Sequence, residues 1–195
     1  MSTTGEEHEE HVMSRREREE ARSDELRRVI ALSQVRQYPE VVLRQVAKPV
    51  TEFGPDLIAL VGRMERLMDD AHGVGLAAPQ VGLRRRLFVF RSGEDGPAQA
   101  AVNPEITRRS EETEVDDEGC LSLGPVRMPV ERATGVTLEF QDVAGERHTL
   151  ELEGLDARVV QHELDHLDGV LIIDRTTDEA RREAMKVLRP DPGPR

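Results

Sequence analysis

The chain has 195 residues, 37% of them hydrophobic, and a formal net charge of −12. The length favours one domain with a core for roughly 150 residues, and the acidic balance argues against a nucleic-acid groove, which needs a positive stripe. Because no stretch reaches the roughly 18 apolar residues of a membrane span and no signal-peptide pattern is visible, we expect a soluble, cytoplasmic protein without a membrane partner.

Residues 1–33 differ from the rest in composition, since Glu, Arg and Ser dominate them. His8 and His11 stand among glutamates and could bind a metal loosely, yet a solvated, flexible extension is the expectation for such a composition. The mixed charges of Arg15 to Arg28 indicate at most a transient helix. We therefore divide the chain into a charged extension at 1–33, a folded domain at 34–189 and a Pro-rich tail at 190–195.

Pro55 to Ala71 carries apolar residues at helical spacing, with Pro55 near the start and Gly73 past the end, and predicts a helix. The segment from Gly73 to Gly82 follows it. This segment lacks the ending of a Walker loop and the third glycine of a dinucleotide loop, which argues against phosphate binding. Its glycines permit close approach of a ligand, and the side-chain N–H of Gln80 could face a developing oxyanion.

Alternating apolar residues predict strands farther along the chain. They lie at Leu87–Phe90, Gly135–Phe140 and His148–Leu152, and a turn at Ala144-Gly145 makes the last two an antiparallel hairpin. A last helix is predicted from near Thr176, with Glu179 in capping-box position and Pro190 at its end. The expected fold is α+β, with antiparallel and mixed strands around one central helix, an N-terminal helix and a C-terminal helix.

The central helix contains Gln161 to His166, in which two imidazoles and a carboxylate lie close together. Residues four apart share a helix face, so His162 and His166 can ligate one divalent cation while Glu163 stays beside it. A metal there lowers the pKa of a bound water and polarises a carbonyl, and the carboxylate moves the proton. Leu155 and Val159 fall on the same face, which we expect to point inward. The alternative is a surface helix with two incidental histidines.

A catalytic metal needs a third protein ligand, and two residues are candidates. Cys120, the only cysteine, is either a small buried hydrophobe or a thiolate ligand, and one cysteine with two histidines is an established catalytic set. Glu183, after the helix, is the other candidate. Spacing alone leaves both open, with Cys120 favoured.

Three segments, in this order, resemble the peptide deformylase family. The family's Gly-x-Gly-x-Ala-Ala-x-Gln loop, Glu-Gly-Cys-Leu-Ser turn and Gln-His-Glu-x-Asp-His helix match Gly73 to Gln80, Glu118 to Ser122 and Gln161 to His166. The similarity extends from about residue 34 to about residue 188, which makes the folded domain the catalytic domain.

The resemblance implies a hydrolase that removes the formyl group from the N-terminal methionine of newly synthesised polypeptides, releasing formate. Fe²⁺ is the implied metal, with Zn²⁺, Ni²⁺ or Co²⁺ as substitutes, although the donor atoms suit several first-row metals. The implied roles are metal ligation by Cys120, His162 and His166, proton transfer by Glu163, binding of the formyl oxygen by Gln80 and the backbone N–H of Leu121, and substrate contacts by Val74, Gly75, Glu118, Arg127 and Val159.

Two rival functions remain open on the sequence. A metallopeptidase using Glu183 would leave the matches at Gly73 to Gln80 and Glu118 to Ser122 unexplained. A non-catalytic, peptide-binding relative would be expected to have lost Glu163, Cys120 or Gln80. The substrate class implies N-formylmethionyl nascent peptides as partners and leaves transient ribosome association open, because the short C-terminus offers no visible docking surface.

Asp165 lies on the same helix as the histidines but points away from their face. We predict that it pairs with an arginine from the segment after Cys120, with Arg132 favoured, and so ties the two metal-binding segments together. A solvated surface aspartate is the alternative.

Overall fold

The computed structural model describes residues 14–93 and 96–188. Loose metal binding by His8 and His11, and the Pro-rich tail at 190–195, concern residues outside these ranges. None of the helices in the described part of the chain has both the length and the apolar character needed to cross a membrane.

The fold is α+β, as predicted, with two α-helices before a run of seven strands and two α-helices after it. The helices are α1 (Arg15–Ser33), α2 (Pro55–Asp70), α3 (Gly154–Leu167) and α4 (Asp178–Leu188). The strands are β1 (Gly75–Ala77), β2 (Leu87–Arg91), β3 (Ala98–Arg109), β4 (Thr113–Gly119), β5 (Arg127–Ala133), β6 (Gly135–Gln141) and β7 (Arg147–Glu153). Five strands form a sheet in the order β1-β2-β3-β6-β7, and β4 pairs with β5. Each of these pairs is antiparallel, while Lys48 and Arg85 make an isolated parallel bridge.

The two faces of the five-stranded sheet are covered by different helices. Successive side chains of a strand point to opposite faces. In β2, Phe88 and Phe90 join the core cluster that contains residues of α3, whereas Leu87 and Val89 join the cluster that contains residues of α2. The result is three layers with α3 fixed against one face of the sheet.

The sequence-predicted elements lie close to the observed ones. The helix predicted to end at Ala71 ends at Asp70, and its methionines Met64 and Met68 are fully buried, as expected. The hairpin of β6 and β7 has its turn where it was predicted, with Gly145 at a φ of 87°. Helix α4 begins two residues later than predicted, because the Thr177 hydroxyl accepts a hydrogen bond from the Ala180 N–H and caps the helix.

Helix α1 corrects the expectation of a transient helix limited to Arg15–Arg28. It begins at a capping box formed by Ser14 and Glu17 and continues to Ser33. Ala31 is 2% exposed and joins the core cluster of α2, with Leu32 packed against the same cluster. Because these apolar anchors follow the charged stretch, composition alone gave no sign that the helix docks on the domain.

Gly169 ends α3 in a left-handed conformation, with a φ of 73°. The N–H of Val170 donates to the carbonyl of Asp165, and the N–H of Gly169 donates to that of His166, which is the Schellman pattern. A Cβ at Gly169 would lie 2.7 Å from the carbonyl oxygen of Arg44. The end of α3 is therefore packed against the segment near Arg44.

We expect Gly169→Ala to destabilise the protein more than Gly93→Ala. Both glycines have a φ of 73°, so both substitutions carry the left-handed penalty of about 1–2 kcal/mol. No atom of the described residues lies within 4 Å of a Cβ added at Gly93. Gly169→Ala therefore adds a clash that Gly93→Ala lacks, which should cost about 1–3 kcal/mol more in the free energy of unfolding. Denaturant unfolding of the two variants measures the difference, and equal losses would contradict the packing described for Gly169.

Candidate active site

Helix α3 and the turn after β4 bring together the three predicted metal ligands. The rings of His162 and His166 lie 5.0 Å apart between centroids, and Cys120 Sγ lies 3.3 Å from His166 Nε2. One potential ligand atom from each of the three residues lies within 4.8 Å of those from the other two. Glu183, the alternative third ligand, is not in this group, and its exposed carboxylate pairs with Lys186. A sulfur and two nitrogen donors form a set that binds first-row divalent metals.

Cys120 reaches this position because it follows the last residue of β4. Its carbonyl accepts a hydrogen bond from the N–H of Leu123, which closes a tight turn. The side chain is 7% exposed and belongs to a core cluster with Met128 and Val130 of β5. The two-stranded sheet thus delivers the thiol to the side of α3.

A buried ion network joins the two ligand-bearing segments. Arg132 donates to both carboxylate oxygens of Glu118, at 2.9 and 3.0 Å, and to Asp165 at 2.6 Å. The predicted pairing of Asp165 with Arg132 is therefore confirmed. Sequence reasoning missed Arg158, which donates to Glu118 at 2.9 Å, and Arg175, which binds Asp165 from the solvent side. Arg158 lies four residues before His162 and therefore on the same face of α3. A charged residue on a face predicted to be buried was the sequence signal that could have identified it.

Glu118 stays ionised and orients His162, one of the three predicted metal ligands. Burial alone would raise the pKa of its carboxyl group, but hydrogen bonds from His162 and Arg132 lower that pKa to about 2. His162 donates from Nδ1 to Glu118 Oε2 at 2.9 Å, which fixes the ring and turns Nε2 toward the other ligands.

Glu163 is buried beside the ligands in a different environment. Burial raises the pKa of its carboxyl group to about 7. Its Oε2 atom and His166 Nδ1 are buried without a hydrogen-bond partner in the described part of the chain. A Cβ at Gly75 would lie 2.8 Å from Glu163 Cδ, so only glycine fits there. Unpartnered buried polar atoms next to a sulfur and two nitrogen donors fit a site that holds a metal and a reacting molecule.

Hydrogen bonds hold both the oxygen and the nitrogen of the Gln80 side-chain amide. Its Oε1 accepts a hydrogen bond from the Ala77 N–H at 2.8 Å. Its Nε2 donates to Ser122 Oγ at 3.2 Å and to Cys120 Sγ at 3.7 Å. The amide N–H group is therefore fixed beside Cys120, while its predicted role toward an oxyanion stays a prediction.

One cavity of about 840 Å³ runs over these groups. Its lining includes all the predicted substrate contacts, namely Val74, Gly75, Glu118, Arg127 and Val159, together with Gln80, Cys120, Leu121, His162 and Glu163. His166 lies deeper and is 1% exposed.

Leu155 corrects one expectation about the inward face of α3. It lines the cavity but is 64% exposed, because it lies in the first turn of the helix at the mouth of the cleft. Arg28 and Leu32 of α1 also line the cavity, and the sequence analysis did not place them there.

We expect Arg132→Met to lower the free energy of unfolding by about 3–5 kcal/mol, because it leaves Glu118 and Asp165 with fewer cations in a buried site. Arg175→Met is the matched control. Arg175 binds the same Asp165, but its side chain is 50% exposed, so the loss should stay below about 1 kcal/mol. Denaturant unfolding at neutral pH compares them, and similar losses would contradict the central position of Arg132.

The loss caused by Arg132→Met should also depend on pH. The folded pKa of Glu118, about 2, lies below its ordinary value of 4.5. Its contribution to stability is therefore complete above pH 4.5 and disappears as the pH falls toward 2. The difference between wild type and variant should shrink over that interval in acid titrations of stability.

Comparison with known proteins places the chain in one family. It matches the family model described as polypeptide deformylase over residues 32–182, more than half of its length. The peptide deformylase of Thermotoga neapolitana is 51% identical over 141 residues, which cover 72% of this chain and 85% of that protein. The peptide deformylase of Acidothermus cellulolyticus is 44% identical over 160 residues, covering 82% of this chain and 87% of that protein.

Solved structures agree with the sequence relatives. The crystal structure of peptide deformylase from Thermotoga maritima has a TM-score of 0.71 at 47% identity and covers 73% of this chain and 96% of that chain. The crystal structure of Arabidopsis thaliana peptide deformylase 1B with an inhibitor has a TM-score of 0.75 at 38% identity and covers 80% and 89%. The chain therefore belongs to the polypeptide deformylase family, whose enzymes remove the formyl group from nascent peptides.

Proposed function

We propose that this chain hydrolyses the N-formyl group of formylmethionyl peptides at a metal held by Cys120, His162 and His166, with Glu163 as the proton carrier. The observation that carries the proposal is the grouping of these three ligand atoms within 4.8 Å at a cleft lined by the buried Glu163. The family establishes the reaction class, and the geometry supports the roles of the individual residues.

A divalent metal, when bound, supplies an activated water and polarises the carbonyl to be attacked. We propose Fe²⁺ as the metal on the strength of the family resemblance, with Zn²⁺, Ni²⁺ or Co²⁺ able to replace it. One thiolate and two imidazoles do not discriminate among these ions.

Glu163 moves the proton that the reaction must transfer. Water adds to the formyl carbon, and Glu163 accepts the proton that water loses. The carbon–nitrogen bond then breaks as Glu163 delivers that proton to the departing amine, leaving formate and a free N-terminus. A pKa of about 7 suits a group that both accepts and releases a proton near neutral pH.

Gln80 and the backbone N–H of Leu121 stabilise the negative charge that develops on the formyl oxygen. The peptide unit between Cys120 and Leu121 is oriented by the bond from the Leu123 N–H to the Cys120 carbonyl. In a planar trans peptide the N–H points away from the carbonyl, so the Leu121 N–H faces the opposite side of the turn. The Gln80 amide is held beside the same cysteine.

The substrate lies along the edge of the sheet. Strand β1 is the edge strand, so the side of Gly75 opposite β2 can pair with an extended peptide backbone. Val74, Leu155 and Val159 supply aliphatic surface for the methionine side chain. Glu118 and Arg127 complete the contacts, with Arg127 held by its bond to the Asp117 carbonyl.

The rival functions have weaker support. A metallopeptidase with Glu183 as third ligand would need a carboxylate that instead pairs with Lys186 on the exposed side of α4. A non-catalytic relative would have no use for Glu163, Cys120 and Gln80 together in one cleft.

We propose a cytoplasmic location and nascent formylated chains as partners. A thiolate ligand persists in a reducing compartment, because oxidation would remove its affinity for metal. Transient association with the ribosome would follow from this substrate class.

We expect Cys120→Ala to lower metal affinity by more than about 100-fold. Loss of a residue that only hydrogen-bonds a metal ligand lowers the affinity by up to about that much, and loss of the ligand itself should lower it further. Glu183→Ala is the control and should retain the wild-type metal content. Metal analysis after gel filtration measures both. If Glu183→Ala is the variant that loses metal, the metallopeptidase hypothesis replaces the proposal.

The purified, Fe²⁺- or Ni²⁺-loaded protein should release formate from formyl-methionyl-alanyl-serine and leave its peptide bonds intact. Glu163→Gln should keep the metal but lose about 10²–10⁴-fold in turnover, because it preserves shape and removes the proton carrier. Acetyl-methionyl-alanyl-serine, the control substrate, should react far more slowly, since its extra methyl lowers the electrophilicity of the carbonyl. Mass spectrometry distinguishes the outcomes: free methionine would indicate a peptidase, and no product from metallated protein would indicate a binding protein.

A further inference from the structure

Helix α1 contributes side chains to the substrate cleft. Arg28 and Leu32 line the same cavity as Gly75, His162 and Glu163. The family match begins at residue 32, so Arg28 and most of α1 lie outside it. The helix is thus a part of the cleft that the deformylase family model does not describe.

The helix is anchored in a defined position. Ala31 and Leu32 pack against the core cluster that includes residues of α2. Farther up the helix, Asp24 Oδ2 lies 3.0 Å from Nε2 of His72. His72 directly precedes Gly73 to Gly75, the segment that borders the proposed substrate backbone. The contact of Asp24 on one side of Arg28, and the packing of Ala31 and Leu32 on the other, therefore hold Arg28 at the cleft.

The cavity is large enough to hold more than the formylmethionyl group. Its volume of about 840 Å³ lies toward the upper end of the roughly 300–1,000 Å³ of sites that enclose drug-sized ligands. Peptide residues that follow the methionine can therefore lie in the cavity beside its more distant walls.

The charges on these walls differ in sign. The Arg28 side chain is 44% exposed, and the carboxylate of Glu25 lies 3.8 Å away in an exposed contact of little strength. The guanidinium therefore remains able to bind a carboxylate from a ligand through its planar set of donors. Asp116 and Asp117 line the cavity from β4, and Arg127 lines it from β5.

We propose that Arg28 and Leu32 form a subsite for the part of the formylated peptide that follows the methionine, and that Arg28 makes this subsite favour an acidic side chain. The inference rests on the proposed function for the identity of the ligand. Leu32 supplies apolar contact and Arg28 supplies charge, so Arg28 determines specificity while the metal site performs the reaction.

The test compares the full-length, metal-loaded wild type with Arg28→Glu, using formyl-Met-Glu-Glu-Ser, formyl-Met-Lys-Lys-Ser and the short formyl-Met-Ala. Arg22→Glu is the matched control, since it makes the same charge change on α1 at a residue that does not line the cavity. Arg28→Lys keeps the charge. The measured quantity is the ratio of kcat/KM for the acidic peptide to that for the basic peptide.

We expect Arg28→Glu to lower this ratio at least about fivefold, equivalent to about 1 kcal/mol, and to slow formyl-Met-Ala less than the acidic peptide, because the short substrate ends before the subsite. Arg28→Lys should retain most of the preference for the acidic peptide. Arg22→Glu should change the ratio by less than about twofold, because Arg22 does not line the cavity and salt screens the interaction between separated exposed charges. An unchanged ratio in Arg28→Glu would overturn the proposal. An equal change in Arg22→Glu would also overturn it, by showing a general effect of net charge.

A binding measurement separates this inference from the proposed function. Calorimetry of the same two peptides with Glu163→Gln, and with Glu163→Gln combined with Arg28→Glu, reports the charge preference without turnover. If wild type releases no formate but the preference for the acidic peptide depends on Arg28, the proposed function fails and the subsite stands. If formate is released and the affinities do not depend on Arg28, the subsite is wrong and the proposed function stands.

Discussion

The guanidinium of Arg132 is the charge on which the geometry of the site depends. It is 5% exposed and lies between Glu118, two residues before Cys120, and Asp165, one residue before His166. A buried cation is costly unless carboxylates surround it in good geometry. The requirement to satisfy Arg132 therefore fixes the turn after β4 against α3, and with it the distance between the sulfur and nitrogen ligands.

Two nearby buried carboxylates have different pKa values, because their hydrogen-bond partners differ. Glu118 accepts hydrogen bonds from Arg132, Arg158 and His162, and its pKa is lowered to about 2. Glu163 is also buried, but the part of the chain that the structure describes gives it no such set of donors, and burial raises its pKa to about 7. These two environments suit Glu118 to orient His162 and Glu163 to exchange a proton near neutral pH.

Sequence predicted best what depends on short-range periodicity. The approach of His162 and His166 follows from helix geometry, and the structure places their rings 5.0 Å apart. The approach of Cys120 depends on the β4–β5 pairing, so spacing left it open and the family pattern was needed. Leu155 was misplaced because periodicity identifies a face of a helix but not where the helix leaves the core. Arg158 was missed because its partners lie on β4 and β5, far away in sequence.

Helix α1 shows why composition gave an incomplete picture of the cleft. Its charged residues suggested a solvated extension, yet Ala31 and Leu32 near its end pack against the cluster that includes α2, and this docking places Arg28 at the cavity. Arg28 lies outside the buried network around Arg132. Within that network, a change in one charge affects several partners. Contacts remote from the reacting carbon contribute binding energy without belonging to the catalytic group. The subsite proposed on α1 can therefore be altered without disturbing the charges that hold the predicted metal ligands in place.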